Sequence, residues 1–138
     1  MTEEKKTKRE EKKPLEKATF DDIIRLKLRR EKANQKKIEL PIESLGKTLT
    51  FVSPDKDVQL DFINDIRKSG GLSGAYDAYR AFVYACCPML HSGELQKELD
   101  VVDPPEIVDR LFSPMEVYNL GDRLADEFMG ALTDDIKN

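Results

Sequence analysis

The sequence predicts a mostly helical α+β fold: a small helical domain carrying one β-hairpin, preceded by a basic N-terminal helix. Three observations predict it. Only one stretch, 38–52, alternates apolar and polar residues with period 2; the other patterned stretches follow the 3.6-residue period. Helix-start signals recur along the chain, at Thr19, Ser53-Pro54, Ser92, Asp103-Pro104 and Ser113-Pro114. And 75–90, reading AYDAYRAFVYACCPML, is apolar nearly all round, with Asp77 and Arg80 as its only charges. A helix apolar on every side is buried on every side, and this one is shorter than the roughly 20 residues a membrane span needs. It is therefore the expected centre of the domain, with Phe82, Val83, Tyr79 and Cys86 in the core.

Residues 1–18 are almost wholly charged and cannot bury enough apolar surface to offset the entropy of ordering, so a disordered arm is expected. Thr19, followed by Asp21 and Asp22, starts a helix. Its apolar stripe of Phe20, Ile23, Ile24 and Leu28 is short, so the first turns are expected to dock on the core and the remainder to face water. Ile38, Leu40 and Ile42 alternate with polar residues or proline, and 48–52 is β-branched and aromatic. A hairpin with a Gly46-containing connection follows, with Pro41 placing the first strand at an edge.

Ser53 as N-cap with Pro54 at the first helical position starts a helix over 54–69, with Val58, Phe62, Ile63 and Ile66 inward. Asp57, Asp61 and Asp65 lie one turn apart on its outer face; without a further ligand at local spacing they read as a solvated face. Ser69-Gly70-Gly71 leads into the central helix, 74–88, which Pro88 closes. Ser92 caps a short helix over 94–99, and Asp103-Pro104-Pro105-Glu106 starts another over 104–112. The last helix, 114–132, is the cleanest amphipathic element, with Val117, Leu120, Gly121, Leu124, Phe128 and Met129 on one half. Gly121 within that stripe reads either as the close approach of another backbone or as a neutral, tolerated glycine. Residues 19–132 thus form a single helical domain, and 133–138 a polar tail.

Charge is divided unevenly. Residues 1–37 hold 14 Lys+Arg against 8 Asp+Glu, whereas 38–138 hold 9 against 19. The body repels nucleic acid and only the arm attracts it, so a nucleic-acid-binding regulator using the basic arm is the alternative function, separable by the salt dependence of binding. No apolar run near the N-terminus marks a secretory signal or membrane anchor. Cys86 and Cys87 are adjacent in an expected core, which fits reduced thiols in a cytoplasm. On a helix they diverge by about 100°, and Pro88 separates them from His91, so they form neither a zinc site nor a Cys/His nucleophile. Gly70, Gly71 and Gly74 lack the Lys-Ser/Thr of a phosphate loop. No enzyme, cofactor or metal centre is expected.

The run Tyr84-Ala85-Cys86-Cys87-Pro88-Met89-Leu90, then Glu94-Leu95-Gln96, then 105–112 (PEIVDRLF) and Met115-Glu116, resembles the tail assembly chaperones of long-tailed phages and defective prophages of Gram-positive bacteria. A Lys/Arg-rich leading helix, Ser44-Leu45-Gly46 in a hairpin and Ser53-Pro54 at a helix start are similar as well, so the resemblance spans 20–130. Where many members carry Gly before the Glu, this chain has Met115. The resemblance implies a non-enzymatic protein of the host cytoplasm, absent from the mature virion. It would bind the tape measure protein, keep it soluble and help recruit tail tube subunits, in some systems alongside a frameshifted longer form of itself. Leu120, Leu124, Phe128 and Met129 on the last helix are the partner-binding candidates, insofar as the core does not use them.

Overall fold

Local signals in the chain set most of the element boundaries. The computed structural model describes residues 14–130; most of the expected arm (1–13), the end of the last helix and the polar tail (133–138) lie outside the described residues. The chain divides into two compact units, Met1–Arg30 and Glu31–Asn138.

Residues 14–19 are exposed and without regular structure, and helix α1 (Phe20–Asn34), most of which lies in the first unit, begins at the expected cap. Thr19 Oγ1 accepts from the Asp22 amide at 3.2 Å while Asp22 Oδ2 accepts from the Thr19 amide at 2.8 Å. Two amides that no helical carbonyl could reach are satisfied reciprocally. No residue of α1 is buried. Phe20, Ile23, Ile24 and Leu28 are exposed on this helix.

The second unit is mostly helical with one two-stranded antiparallel sheet. Strands β1 (Lys37–Ile42) and β2 (Lys47–Val52) pair from Lys37↔Val52 to Ile42↔Lys47. Opposed residues share a face, so Ile38/Phe51 and Leu40/Leu49 look to the core and Glu39/Thr50 and Pro41/Thr48 look away. Phe51, Leu40 and Ile42 are buried. The connection closes with the Leu45 and Gly46 amides donating to the Ile42 carbonyl, and Gly46 takes φ 69°, the left-handed region open to glycine.

Helix α2 (Lys56–Lys68) starts two residues later than expected. Its N-cap is Asp55, and the Ser53 amide donates instead to the Lys36 carbonyl at 3.0 Å, extending the hairpin by one bond. Helix α3 (Leu72–Cys86) ends before Pro88, because the residue preceding a proline is disfavoured in the helical region; Cys87 is extended at φ −112°, ψ 99°. A 3-10 turn (Pro88–His91) follows, then α4 (Gly93–Glu98), whose Ser92 cap accepts from the Leu95 amide. Helix α4 closes with the Val101 amide on the Gln96 carbonyl and the Asp100 amide on the Lys97 carbonyl, Asp100 taking φ 54°. The Asp103-Pro104 start yields a 3-10 turn (Pro104–Glu106) before the short helix α5 (Ile107–Leu111), and α6 (Pro114–Met129) completes the fold.

Helix α3 is the centre, packing on α2, α5, α6 and the 3-10 turn at Pro88. Phe82, Val83 and Cys86 are buried as expected. Tyr79 is only half-buried, because its ring lies over α6 with its hydroxyl turned to a carboxylate. No described helix is long and apolar enough to cross a membrane.

Candidate client-binding surface

The sequence places the partner contact on α6, so the environment of that helix decides which side chains are free. Its start is fixed by a full capping box: Ser113 Oγ accepts from the Glu116 amide and Glu116 Oε1 accepts from the Ser113 amide at 3.0 Å. Ser44 of the hairpin connection donates to the other Glu116 oxygen at 2.8 Å. These bonds, the Ser113 amide foremost, hold the Glu116 carboxyl below its ordinary range. At the far end Lys36 Nζ donates to Glu127 Oε2 at 3.0 Å and to the Glu127 carbonyl, joining the segment before β1 to α6.

Between those ends α6 lies close on α3. A Cβ at Gly121 would stand 2.3 Å from Tyr79 Cδ1, so the glycine admits an aromatic ring and not, as expected, another backbone. The Tyr79 hydroxyl donates to Asp122 Oδ1 at 2.7 Å, and its ring meets Phe62 and Tyr118 edge-on. Burial, helped by Asp122, raises the Tyr79 phenol well above its ordinary value. Next to this contact, Asp109 of α5 accepts from the Tyr76 hydroxyl and from Arg80 Nη1. Burial opposes ionisation of Asp109, but the bonds from Tyr76 and Arg80 and the Arg80 charge outweigh it and lower its carboxyl.

This packing sets how far each candidate side chain is exposed. Leu124 is 0% exposed, Leu120 9% and Met129 8%, and all three belong to the core; Phe128 alone is half-buried. Gly121 and Ala125 are small enough for α6 to press most of its apolar stripe inward, and of the four candidates only Phe128 keeps part of its surface open. Cys86 and Cys87 are free, buried thiols whose ionisation burial opposes, and His91 is exposed with Nε2 2.8 Å from the Tyr84 carbonyl. Asp57, Asp61 and Asp65 are exposed, and no group of three or more His, Cys, Asp or Glu among the described residues could hold a metal ion.

Among the described residues, α1 carries more exposed large apolar side chains than any other element. Phe20 is 79% exposed and Leu28 56%, with Ile23, Ile24 and Leu26 also exposed, five in one helix. Elsewhere the exposed large apolar residues, such as Leu60, Met89 and Val102, stand apart in sequence, which is ordinary for a folded surface. Phe20, Ile24 and Leu28 recur every four residues and so form one line on the helix. Arg25, Arg29, Arg30 and Lys32 stand on the same helix. The stripe itself was visible in the sequence; its exposure was not, because periodicity shows that a face is apolar and not what meets it.

Two shallow grooves lie among the described residues. One of about 250 Å³ runs between β1 and α6, lined by Leu40, Ile42, Glu43, Glu116, Leu120 and Arg123 among others. The other, of about 220 Å³, lies between α2 and α3. Compared with protein-family models, curated proteins and solved structures, the chain matches none of them.

Proposed function

We propose that this chain is a non-enzymatic tail assembly chaperone of a long-tailed phage or prophage, holding an apolar helical client, the tape measure protein, in solution in the host cytoplasm until tail tube subunits are recruited. The ordered motifs over 20–130 support the reading through the resemblance they carry. The structural observation that supports it most is α1: a capped helix with five large exposed apolar side chains and a charged remainder is a suitable surface for an apolar helix. The contact therefore belongs to Phe20, Ile23, Ile24 and Leu28 in place of Leu120, Leu124 and Met129. The acidic body, with 19 Asp+Glu against 9 Lys+Arg beyond residue 37, keeps the complex soluble.

Co-expression tests the reading. The tape measure protein alone should precipitate; with this chain it should stay soluble and co-purify. Ile24→Asp combined with Leu28→Asp should abolish co-purification while circular dichroism of the chaperone stays unchanged. A tape measure protein equally insoluble with and without this chain would refute the function, and retained co-purification by the double variant would refute the assigned surface.

A further inference from the structure

The two outer edges of the hairpin differ. The Ser53 amide donates to the Lys36 carbonyl, which fixes the parity of the ladder. Ile38, Leu40 and Ile42 therefore exchange bonds with Phe51, Leu49 and Lys47, and the backbone groups of the residues between them point away from the neighbouring strand. On β1 the outward groups belong to Lys37, Glu39 and Pro41. Proline has no amide to offer, and two charged side chains flank what remains, so this edge is blunted against further pairing. On β2 the outward groups belong to Thr48, Thr50 and Val52, and none of their amides or carbonyls has a hydrogen-bond partner among the described residues. Thr48 and Thr50 are exposed, the register runs without a bulge, and neither proline nor charge interrupts 48–52. We propose that the β2 edge is a docking site for an extended, cationic segment of a partner protein, which adds antiparallel to β2 as a third strand of the sheet.

The edge selects the conformation of its occupant, since only an extended backbone offers donors and acceptors at every second residue. The two faces select its side chains. Leu49 and Phe51 look to the core and Leu49 is only half-buried, so apolar residues set opposite them extend the core. Thr48 and Thr50 look to water, with Thr50 Oγ1 3.5 Å from Glu39 Oε1, so the residues opposite them are polar. Residues 38–138 carry 9 Lys+Arg against 19 Asp+Glu, a net −10, which favours lysine or arginine there. The same charge disfavours β2 of a second copy, because that pairing would join two bodies of net −10. Within the chain, 1–13 contain no Val, Ile, Tyr, Phe or Trp and 131–138 set Asp134 beside Asp135, so neither stretch has the composition of this strand. The site shares no residue with α1 and does not rest on the client reading.

The probe is a short peptide that alternates valine and lysine and is long enough to span β2, added to the full chain while amide exchange is followed by NMR. In the free chain the amides of Thr48, Thr50 and Val52 should exchange fast, and those of Leu49 and Phe51, bonded to β1, slowly. With the peptide the first three should slow by about tenfold or more. The same peptide N-methylated at its lysines, whose amides would face β2, should give no protection. Thr50→Pro removes one outward amide and no ladder bond; it should weaken peptide binding about tenfold, with slow exchange at Leu49 and Phe51 reporting that the hairpin persists. Where that variant unfolds the hairpin, the N-methylated peptide still decides. Three results would overturn the proposal: slow exchange of the Thr48 and Thr50 amides in the free chain, which would mean an edge already covered; no slowing on adding the peptide; or equal protection by the N-methylated peptide, which would mean that charge alone holds it.

Discussion

Helices α1 and α6 begin alike and end in opposite environments. Each opens on a hydroxyl N-cap and an acidic third residue bonded reciprocally, Thr19 with Asp22 and Ser113 with Glu116. Yet α1 buries nothing, while α6 buries Val117, Leu120, Gly121, Leu124, Ala125 and Met129. The cap decides where a helix starts; it has no influence on what the helix meets. The distinction lies further along. The stripe of α6 runs its whole length and contains two small residues through which α3 comes close. That of α1 stops at Leu28, contains no small residue and is crowded by arginines. An apolar stripe becomes a core element when small residues let its partner come this close.

The largest test of this contrast is truncation of one leucine on each helix. Leu124→Ala should cost about 2–5 kcal/mol of unfolding free energy in urea, as fully buried leucines do. Leu28→Ala should change it by less than about 0.5 kcal/mol, the usual range for an exposed position. Equal effects would mean that α1 is packed. Gly121→Ala should come next, losing about 1–3 kcal/mol. The added methyl meets the Tyr79 ring at 2.3 Å, and overpacking on that scale outweighs the roughly 1 kcal/mol gained in helix propensity.

Removing the caps should have a smaller, asymmetric effect. Ser113→Ala should lower unfolding stability by about 0.5–2 kcal/mol, whereas Thr19→Ala should reduce helical circular dichroism and leave the urea midpoint in place. The smallest expected effect is on pH dependence. Glu116 and Asp109 are both held below their ordinary values of 4.5 and 3.8. A depressed carboxyl stabilises the fold above its unfolded value, and that contribution is lost as pH falls through the folded one. The urea midpoint should therefore hold from neutral pH to about 5 and decline below 4.5, with Glu116→Gln flattening part of the decline. Asp22 is lowered as well, by the Thr19 amide first and then by Arg25. Its protonation should register only as lost helicity of α1.

What the sequence disclosed follows the same line. Thr19, Ser92 and the Ser113–Glu116 box were legible because a cap is a local bond between residues three apart. The hairpin was legible because its period is local, and the central burial of Phe82, Val83 and Cys86 because no polar side was available to them. Ser53 was misread for a long-range reason: its amide closes the hairpin against Lys36, seventeen positions earlier, and the helix start moves to Asp55. Gly121 was legible as a close contact but not as a ring contact, since Tyr79 lies 42 residues away. The burial of Leu120, Leu124 and Met129 was not legible, because an amphipathic face looks the same whether its cover comes from the same chain or another.

The paired thiols at the end of α3 have a use as a clock. Cys86 and Cys87 are each 0% exposed, and burial opposes thiolate formation in both. A thiol reagent therefore modifies them only during excursions that open the junction between α3 and the following turn. With reagent in the regime where reclosing outpaces modification, the observed rate divided by that of an unstructured thiol is the equilibrium constant of that opening. Two adjacent sulfurs facing different neighbours report it in duplicate: release of both together would mark cooperative unfolding of the core, and release of Cys87 alone would mark a local fraying at Pro88.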